Sequence, residues 1–396
     1  MERVMKKIIF LALSFILFLS SNLLSAQDKA AESTPSLKSL HSGKAGVYVR
    51  LNSRDKKNLD VMGSHPLLDA VISGSAWRMV EPQRGNYSFT PLMEEVNQWG
   101  KKGKGVALNI VLYGQAVDDV LTPPWIYEQQ GVKAISFSGG GQAKGRKIRI
   151  PAVWEEGFID HYIEPMVSGF AKALDGNPSL WYVIPAFGHI GALTAQPSKE
   201  GGRALLEAGW TPEKWSLYCR RTVDLYRKHF KKTPLFLKFS RMFIRDPRHG
   251  YYEKEASDLM KEFGKGGVTV IHLDLEADKE SSLAAYRNLT EVIPAAKRGL
   301  TRIGRGDDWP LWVPESRRNH KPTQGHDERY FQKSLEYAFG GFESIPEIPT
   351  TILFCQEPEI LASHSENKEY RPAVGEILKN ARARLKKVDQ EIFGRQ

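Results

Sequence analysis

Short apolar segments alternate with amphipathic segments along the chain from residue 45 onward. Several of the apolar segments are nearly continuous in Val, Ile, Leu and Phe, as strands buried on both faces of a sheet require. The predicted strands span residues 46–51, 68–77, 105–114, 180–188, 234–240, 268–276, 298–304 and 350–357. The segments between them carry apolar residues at helical spacing. One of these begins with Thr211-Pro212-Glu213, which provides a hydroxyl cap, a proline in the first turn and an acid near the positive helix end.

Eight strands that alternate with helices predict an α/β fold of the (β/α)8 TIM-barrel class, with a single barrel domain over residues 43–396. A doubly wound open sheet is the alternative. Neither GxGxxG nor GxxxxGK[ST] follows a predicted strand, so a nucleotide-binding open sheet is disfavoured. The one glycine-rich segment, residues 136–147, is predicted to be a mobile loop.

The first residues combine a basic start, an apolar run over residues 8–24 and a small-residue end at Ser25-Ala26. This layout predicts a signal peptide over residues 1–26 and a secreted or periplasmic protein with no membrane contact after cleavage. A retained membrane anchor is the alternative, because the apolar run nears the minimum spanning length of about 17 residues. The polar segment 27–42 is predicted to be a flexible tether.

Composition excludes several classes of protein. Hydrophobic residues make up 41% of the chain and charged residues 26%, which is typical of a globular protein. Two distant cysteines, Cys219 and Cys355, form no disulfide framework. A single disulfide between them is possible, but Cys355 lies in an apolar run and is expected to be a buried free thiol.

The net charge of +10 suits acidic polysaccharide, an anionic surface or nucleic acid as a partner. Much of it lies in the C-terminal helix and other polar segments, so a solvated surface is the simpler interpretation. No nucleic-acid motif accompanies the charge, and no such partner is expected.

Five motifs follow one another over residues 65–191: HPLLDAVISGSAWRMVEPQRGNYSF, GKGVALNIVL, PPWIYEQQGV, IPAVWEEGFIDHYI and DGNPSLWYVIPAFGHIG. The first contains the pattern W-x-x-x-E-P-x-x-G-x-Y-x-F after a predicted strand. The region from about 65 to 240 thereby resembles the β-galactosidase-like glycoside hydrolases of clan A, in particular family 42 and its secreted relatives. The resemblance implies a sugar-cleaving barrel whose site lies at the C-terminal ends of the strands. It also implies two catalytic glutamates, an acid/base after an asparagine on the fourth strand and a nucleophile on the seventh.

This chain departs from the family at both catalytic positions. The fourth predicted strand leads into AFGHIGALTA, with His189 and Ala192 where the acid is expected. The seventh leads into GRGDDWPLW, which offers Asp307 and Asp308 but no glutamate. His189 suits a sugar-binding or acid role and equally a structural role, and the two aspartates are most simply explained by a turn.

Other carboxylates follow predicted strands. Asp274 and Glu276 lie on one face of the sixth strand, and Glu357 ends the eighth. Because carboxylates at the C-terminal ends of barrel strands commonly belong to the active site, we predict that Glu357 and either Asp274 or Glu276 form the catalytic pair. Alternatively Glu357 stabilises a helix start. The structural alternative for the other two is an ion pair with a nearby cation, namely Arg298, Arg302 or Lys238.

Aromatic and polar residues near the predicted strand ends favour a carbohydrate ligand, because sugar rings stack on aromatic faces while charged side chains bind hydroxyl groups. The predicted substrate-binding residues are Trp77, Arg78, Glu81, Tyr113, Trp125, His189, Asp307 and Trp309. Two alternatives remain: Trp77 and Trp125 pack at the barrel rim, and Glu81 braces Arg78.

Histidines and carboxylates show no metal-ligand spacing, so neither a catalytic metal nor another cofactor is expected. The sequence thus predicts a secreted glycoside hydrolase acting on a β-linked glycan, with galactose-containing and anionic or sulfated glycans as candidates. A non-catalytic glycan-binding barrel that has lost its acid pair is the alternative.

Overall fold

The computed structural model describes most of the chain from Gly43 to Gly394. The described ranges are 43–50, 59–114, 121–139, 145–188, 191–195, 198–239, 244–246, 250–251, 253–273, 275, 277, 279–306, 311–312, 327–341, 345–355, 357–368 and 370–394. The predicted signal peptide and tether lie outside these residues.

Eight parallel strands form the wall of a barrel: β1 Gly46–Arg50, β2 Ala70–Ala76, β3 Gly105–Val111, β4 Leu180–Ile184, β5 Phe236–Phe239, β6 Thr269–His272, β7 Ile303–Gly306 and β8 Thr350–Cys355. They are hydrogen-bonded in the order β4-β3-β2-β1-β8-β7-β6-β5. A parallel bridge between Val183 and Leu235 joins β4 to β5, so the ring closes. The (β/α)8 barrel prediction is confirmed, and the open-sheet alternative is excluded.

Helices surround the strands: α1 Leu59–Ser64, α2 Trp77–Val80, α3 Thr90–Lys101, α4 Glu164–Leu174, α5 Lys199–Glu207, α6 Pro212–His229, α7 Glu253–Lys265, α8 Lys279–Leu289, α9 Ile293–Lys297, α10 Glu328–Phe339, α11 Glu357–Ala362 and α12 Pro372–Phe393. The predicted cap of α6 is present, because Thr211 Oγ1 accepts a bond of 3.3 Å from the backbone N–H of Lys214. The short helices α1, α2, α5 and α11 were not predicted from the hydrophobic pattern.

The seventh strand begins later than its sequence predicts. Residues 298–300 close helix α9 instead of starting the strand. Gly299 takes a left-handed conformation with φ of 73°, and the backbone N–H of Leu300 donates to the Ala295 carbonyl at 3.1 Å. This is the way a helix commonly ends at glycine, so the strand starts only at Ile303.

The described ends of the glycine-rich segment belong to two paired strands. Strands Ala134–Ser138 and Lys147–Pro151 pair antiparallel in the loop after β3. Alternate residues of both strands are buried in the core: Ile135, Phe137, Ile148 and Ile150. The mobile-loop prediction is therefore wrong for the described part of this segment, because its ends carry the two-residue alternation of strands that have one buried face.

The strand register arranges the barrel interior in layers of four side chains from alternate strands. The lower layer consists of Tyr48, Ala107, Phe236 and Gly304. The layer above it consists of Ile72, Ile184, Ile271 and Phe354. The next layer toward the C-terminal ends of the strands consists of Arg50, Asn109, Lys238 and Gly306. The barrel is thus apolar in its interior and polar at one end.

Helix α12 closes the opposite end of the barrel through ion pairs. Asp69, which is buried, accepts two bonds of 2.8 Å from Arg382 and one of 2.8 Å from Lys386. The buried Arg302 donates to Asp389 at 2.8 Å. Part of the basic charge in this helix, expected to be solvated, therefore docks the helix onto the barrel.

A buried histidine joins the end of α1 to the end of α11. His65 Nδ1 accepts from the backbone N–H of Leu67 at 3.1 Å, so Nε2 carries the proton and donates to Ser363 Oγ at 2.8 Å. Burial, together with the nearby His364 and Lys104, lowers the pKa of His65 to about 4. The neutral form is therefore the one that this arrangement stabilises.

Cys219 and Cys355 are buried and free, as expected for Cys355, and form no disulfide. Among the described residues, no group of three or more histidine, cysteine, aspartate or glutamate side chains is placed to hold a metal ion. None of the helices in the described ranges has the length and apolar character needed to cross a membrane.

Candidate functional site

The floor of the barrel mouth is a polar layer built by three alternate strands. Arg50 ends β1, Asn109 lies on β3 and Lys238 lies on β5, each at an inward-facing position. Arg50 is half-buried, while Asn109 is 4% exposed and Lys238 is 9% exposed. This layer was not predicted as a site from the sequence, although Lys238 was named as a possible ion-pair partner. The available signal was a polar residue at an inward position of each of three apolar strands.

Glycines fit closely around the Asn109 side chain. A Cβ atom at Gly74 on β2 would overlap Asn109 Oδ1, and one at Gly191 would overlap Asn109 Nδ2. Gly191 also has φ of 73°, which favours glycine independently of the space. Because Gly74 is exposed, this part of the mouth is open to solvent beside the amide.

Glu357 lies at the same end of the barrel. It is half-buried and is the first residue of helix α11, two residues beyond the end of β8. Val49 of β1 pairs with Cys355 of β8, so Arg50 and Glu357 leave neighbouring strands at the mouth. The helix-start alternative therefore describes the location of Glu357 correctly, and this location is compatible with a role in the site.

A second acid, Glu359, lies behind the mouth and was missed by the sequence analysis. It is fully buried, and its Oε1 accepts a bond from the backbone N–H of Leu311. Residue 311 follows β7 and Glu359 belongs to α11, so this carboxyl group ties together the segments that follow β7 and β8. Burial, with Glu359 nearby, raises the pKa of the Cys355 thiol well above its usual value. The apolar residues on both sides of Glu359 were the signal for its burial.

The W-x-x-x-E motif folds into a turn held by one carboxyl group. Glu81 accepts 2.8 Å bonds from the Trp77 indole and from the backbone N–H of Gly85, and it also bonds to the Tyr87 hydroxyl. The Trp125 indole donates to the Glu81 carbonyl at 3.0 Å. Burial raises the pKa of Glu81, although the bonds from Gly85 and Trp77 oppose the shift. Glu81 therefore braces its own turn.

Two of the predicted substrate-binding aromatics lie in the core. Trp77 is fully buried and packs edge-on against Trp125, with ring centroids 5.8 Å apart. Tyr113 is buried, and its hydroxyl donates to the Ala195 carbonyl at 2.8 Å. Trp125 is half-buried. The burial of Trp77 supports the packing alternative, and neither Trp77 nor Tyr113 exposes a ring face on which a sugar could stack.

Arg78 lies at the rim of the barrel mouth. Its side chain is exposed on helix α2, directly after β2, and its backbone N–H donates to the Leu121 carbonyl at 2.9 Å. Met79 beside it is 69% exposed. The Glu81 carboxyl group bonds to other residues, and Arg78 faces solvent. The alternative in which Glu81 braces Arg78 is therefore wrong.

The remaining predicted residues are His189, Asp274, Glu276, Asp307 and Trp309, and they lie outside the described residues. Of the three cations considered as partners for Asp274 or Glu276, Arg302 bonds to Asp389 and Arg298 is exposed. Lys238 lies inside the barrel on β5, next to β6, the strand that these acids follow. The ion-pair alternative itself involves acids outside the described residues, so it stays a prediction.

Comparison with known proteins shows the fold. No family model matches the chain, and no curated protein matches it. Among solved structures it is similar to the catalytic domain of β-amylase from Paenibacillus polymyxa, with a TM-score of 0.56 and 12% identity over 86% of this chain and 99% of that one. It is also similar to the β-galactosidase from the psychrophilic Marinomonas ef1, with a TM-score of 0.50 and 12% identity over 85% of this chain and 59% of that longer one. These similar structures are glycoside hydrolases. The resemblance of this chain to family 42 rests on its sequence motifs alone.

Proposed function

We propose that the protein is a secreted glycoside hydrolase that cleaves a β-linked glycan at the C-terminal mouth of its barrel. The observation that carries the proposal is the polar layer of Arg50, Asn109 and Lys238 above an otherwise apolar interior. Barrel enzymes have their active sites at this end, and amide and cationic side chains bind sugar hydroxyl groups. The names of the similar structures support the reaction class, and the β-galactosidase among them supports a galactose-containing substrate.

In this proposal Glu357 supplies one catalytic carboxyl group, and Asp274 or Glu276 supplies the other. One carboxyl group protonates the oxygen of the leaving sugar, while the other attacks the sugar carbon or activates a water molecule. A separation of about 5 Å between the two would retain the configuration at that carbon, and one of about 6.5–9.5 Å would invert it. The location of Glu357 at the end of β8 supports its assignment.

Hydrolysis of a panel of aryl β-glycosides tests the reaction. We expect the full-length protein to cleave at least one member, and Glu357→Gln to lower kcat by about 100-fold or more, because acid–base catalysis alone contributes this much. Glu94→Gln is the matched control, since Glu94 is exposed on α3. Unchanged turnover in Glu357→Gln would remove Glu357 from the mechanism.

A non-catalytic glycan-binding barrel is the second candidate. The observation in its favour is that the described residues after β4, 185–188 and 191–195, contain no carboxylate. Isothermal titration calorimetry with the same sugars distinguishes the two functions. Binding of a sugar without release of its aryl group by the wild-type protein supports this candidate, and turnover excludes it.

Export to the periplasm or the medium is part of the proposal and is supported by the first 26 residues. After expression of the full-length gene in a bacterial host, mass spectrometry of the exported protein should give a mature chain beginning at Gln27. Recovery of the uncleaved chain in the membrane fraction would instead support a retained anchor.

A further inference from the structure

We propose that the polar layer of Arg50, Asn109 and Lys238 binds an anionic group, a carboxylate or a sulfate, on the sugar that occupies the mouth. This inference rests on the proposed function and narrows its substrate to acidic glycans. It is carried by the position and charge of the three residues, and it can fail while the glycosidase proposal stands.

The three side chains belong to one level of the barrel. The register places Arg50 on β1 and Lys238 on β5 on opposite walls, with Asn109 of β3 between them. All three occupy inward positions, because their neighbours at alternate positions, Tyr48 and Phe236, pack inside the barrel with ring centroids 6.2 Å apart. A group that reaches this level therefore meets positive charge from two sides.

The layer directly below these three residues is apolar. The next layer consists of Ile72, Ile184, Ile271 and Phe354, all of them buried. The fourth member of the polar layer, Gly306, lies close against Phe354, because a Cβ atom at Gly306 would overlap that side chain. Phe354 of the apolar layer therefore fills the space beside Gly306. A ligand group that reaches this level therefore has Arg50, Asn109 and Lys238 around it and apolar side chains beneath it.

The charge of the layer selects between neutral and acidic sugars. Asn109 can bond to either kind, but the layer contains two cations and no carboxylate. Arg50 and Lys238 have protein contacts of their own, and an anionic substrate group would add charge-assisted bonds to them. Such bonds are about twice as strong as neutral ones, and they are screened little by salt at sites as buried as Lys238.

A purely structural role for Lys238 makes a different prediction. If the charge of Lys238 serves only to hold Asp274 or Glu276, then removing this charge will lower the affinity for all sugars alike, because the shape of the site will change for every ligand. If the layer binds the anionic group, the loss of affinity will be confined to acidic sugars. The difference in affinity between an acidic sugar and its neutral counterpart is therefore the quantity to measure.

The experiment is calorimetric titration of the full-length protein with D-galactose, D-galacturonate and D-galactose 6-sulfate. We expect at least one of the two acidic sugars to bind about ten-fold or more tightly than galactose, as charge-assisted bonds provide. Lys238→Met and Arg50→Met should each remove most of this preference. Lys297→Met is the matched control, because Lys297 is exposed on α9 at the other end of the barrel, and it should leave the preference unchanged.

The outcomes separate cleanly. Tighter binding of galacturonate identifies a uronic substrate, and tighter binding of the sulfated sugar identifies a sulfated one. Equal affinity for all three sugars, or no binding of any of them, overturns the inference, while hydrolysis of neutral aryl glycosides would still support the proposed function. A preference that survives in both methionine variants also overturns it. If Lys238→Met does not fold, as judged by circular dichroism, Arg50→Met together with the charge-retaining Arg50→Lys decides the matter.

Discussion

Glu81→Leu is expected to destabilise the protein because one carboxyl group serves three donors. The Trp77 indole, the Gly85 amide and the Tyr87 hydroxyl all bond to it, and leucine accepts none of these bonds. Trp77 and Glu81 are both essentially inaccessible to water, so the indole N–H has no replacement partner from solvent. The turn that carries Arg78 to the rim of the mouth depends on the same bonds.

The three donors contribute unequally. A buried donor left without a partner costs about 1–3 kcal/mol, and the Trp77 indole belongs to this class. Gly85 is exposed and Tyr87 is half-buried, so water replaces their bonds at a net loss of about 0.5 kcal/mol each. The free energy of unfolding should therefore fall by about 3 kcal/mol. Glu81→Gln should cost less, because glutamine keeps one acceptor oxygen and burial already disfavours the charged carboxylate, whose pKa is raised.

Urea unfolding followed by tryptophan fluorescence measures this loss, and Trp77 itself reports on the affected environment. Glu94→Leu makes the same substitution at an exposed position of α3 and should change the free energy of unfolding by less than about 0.5 kcal/mol. A loss below about 1 kcal/mol in Glu81→Leu, or a loss equal to that of the control, would refute the bracing role and would reopen a ligand-binding role for the carboxyl group.

Two further predictions concern the mouth and the response to acid. Gly74→Ala should weaken sugar binding by about ten-fold or more, since its Cβ atom would displace the Asn109 amide. Gly375→Ala, whose Cβ atom would make only ordinary van der Waals contacts with Ser363, should bind sugar normally. Equal affinities of the two variants in calorimetry would contradict the role of this amide. Burial lowers the pKa of His65 from its ordinary value of 6.5 to about 4 in the folded protein. The contribution of the neutral His65 to the free energy of unfolding is therefore complete above pH 6.5, and roughly 3 kcal/mol of it is lost as the pH falls toward 4. Urea unfolding between pH 7 and pH 4.5 should show this decline in the wild type and a shallower one in His65→Gln, and parallel declines would exclude His65 as its source.

Local patterns in the sequence predicted most of the fold. Continuous apolar runs marked the eight strands, because a barrel strand is buried on both faces, and the spacing of apolar residues marked the longer helices. Errors occurred where a local feature competed with this pattern. Gly299 ended a helix inside a predicted strand, and the alternation in the Ala134–Ser138 and Lys147–Pro151 hairpin was hidden by the glycines beside it.

The sequence by itself determined that the chain forms a barrel and that polar residues follow its strands. Only the tertiary structure decided which of these residues share a site. Arg50, Asn109 and Lys238 meet at one level because the register of neighbouring strands fixes the height of each residue around the closed ring, and no local pattern encodes that register. Conversely, the Trp77 and Glu81 motif marked a strand end correctly, but packing turned both side chains into the core. Their direction depends on contacts with Trp125 and Tyr87, which the pattern of hydrophobic and polar positions does not specify.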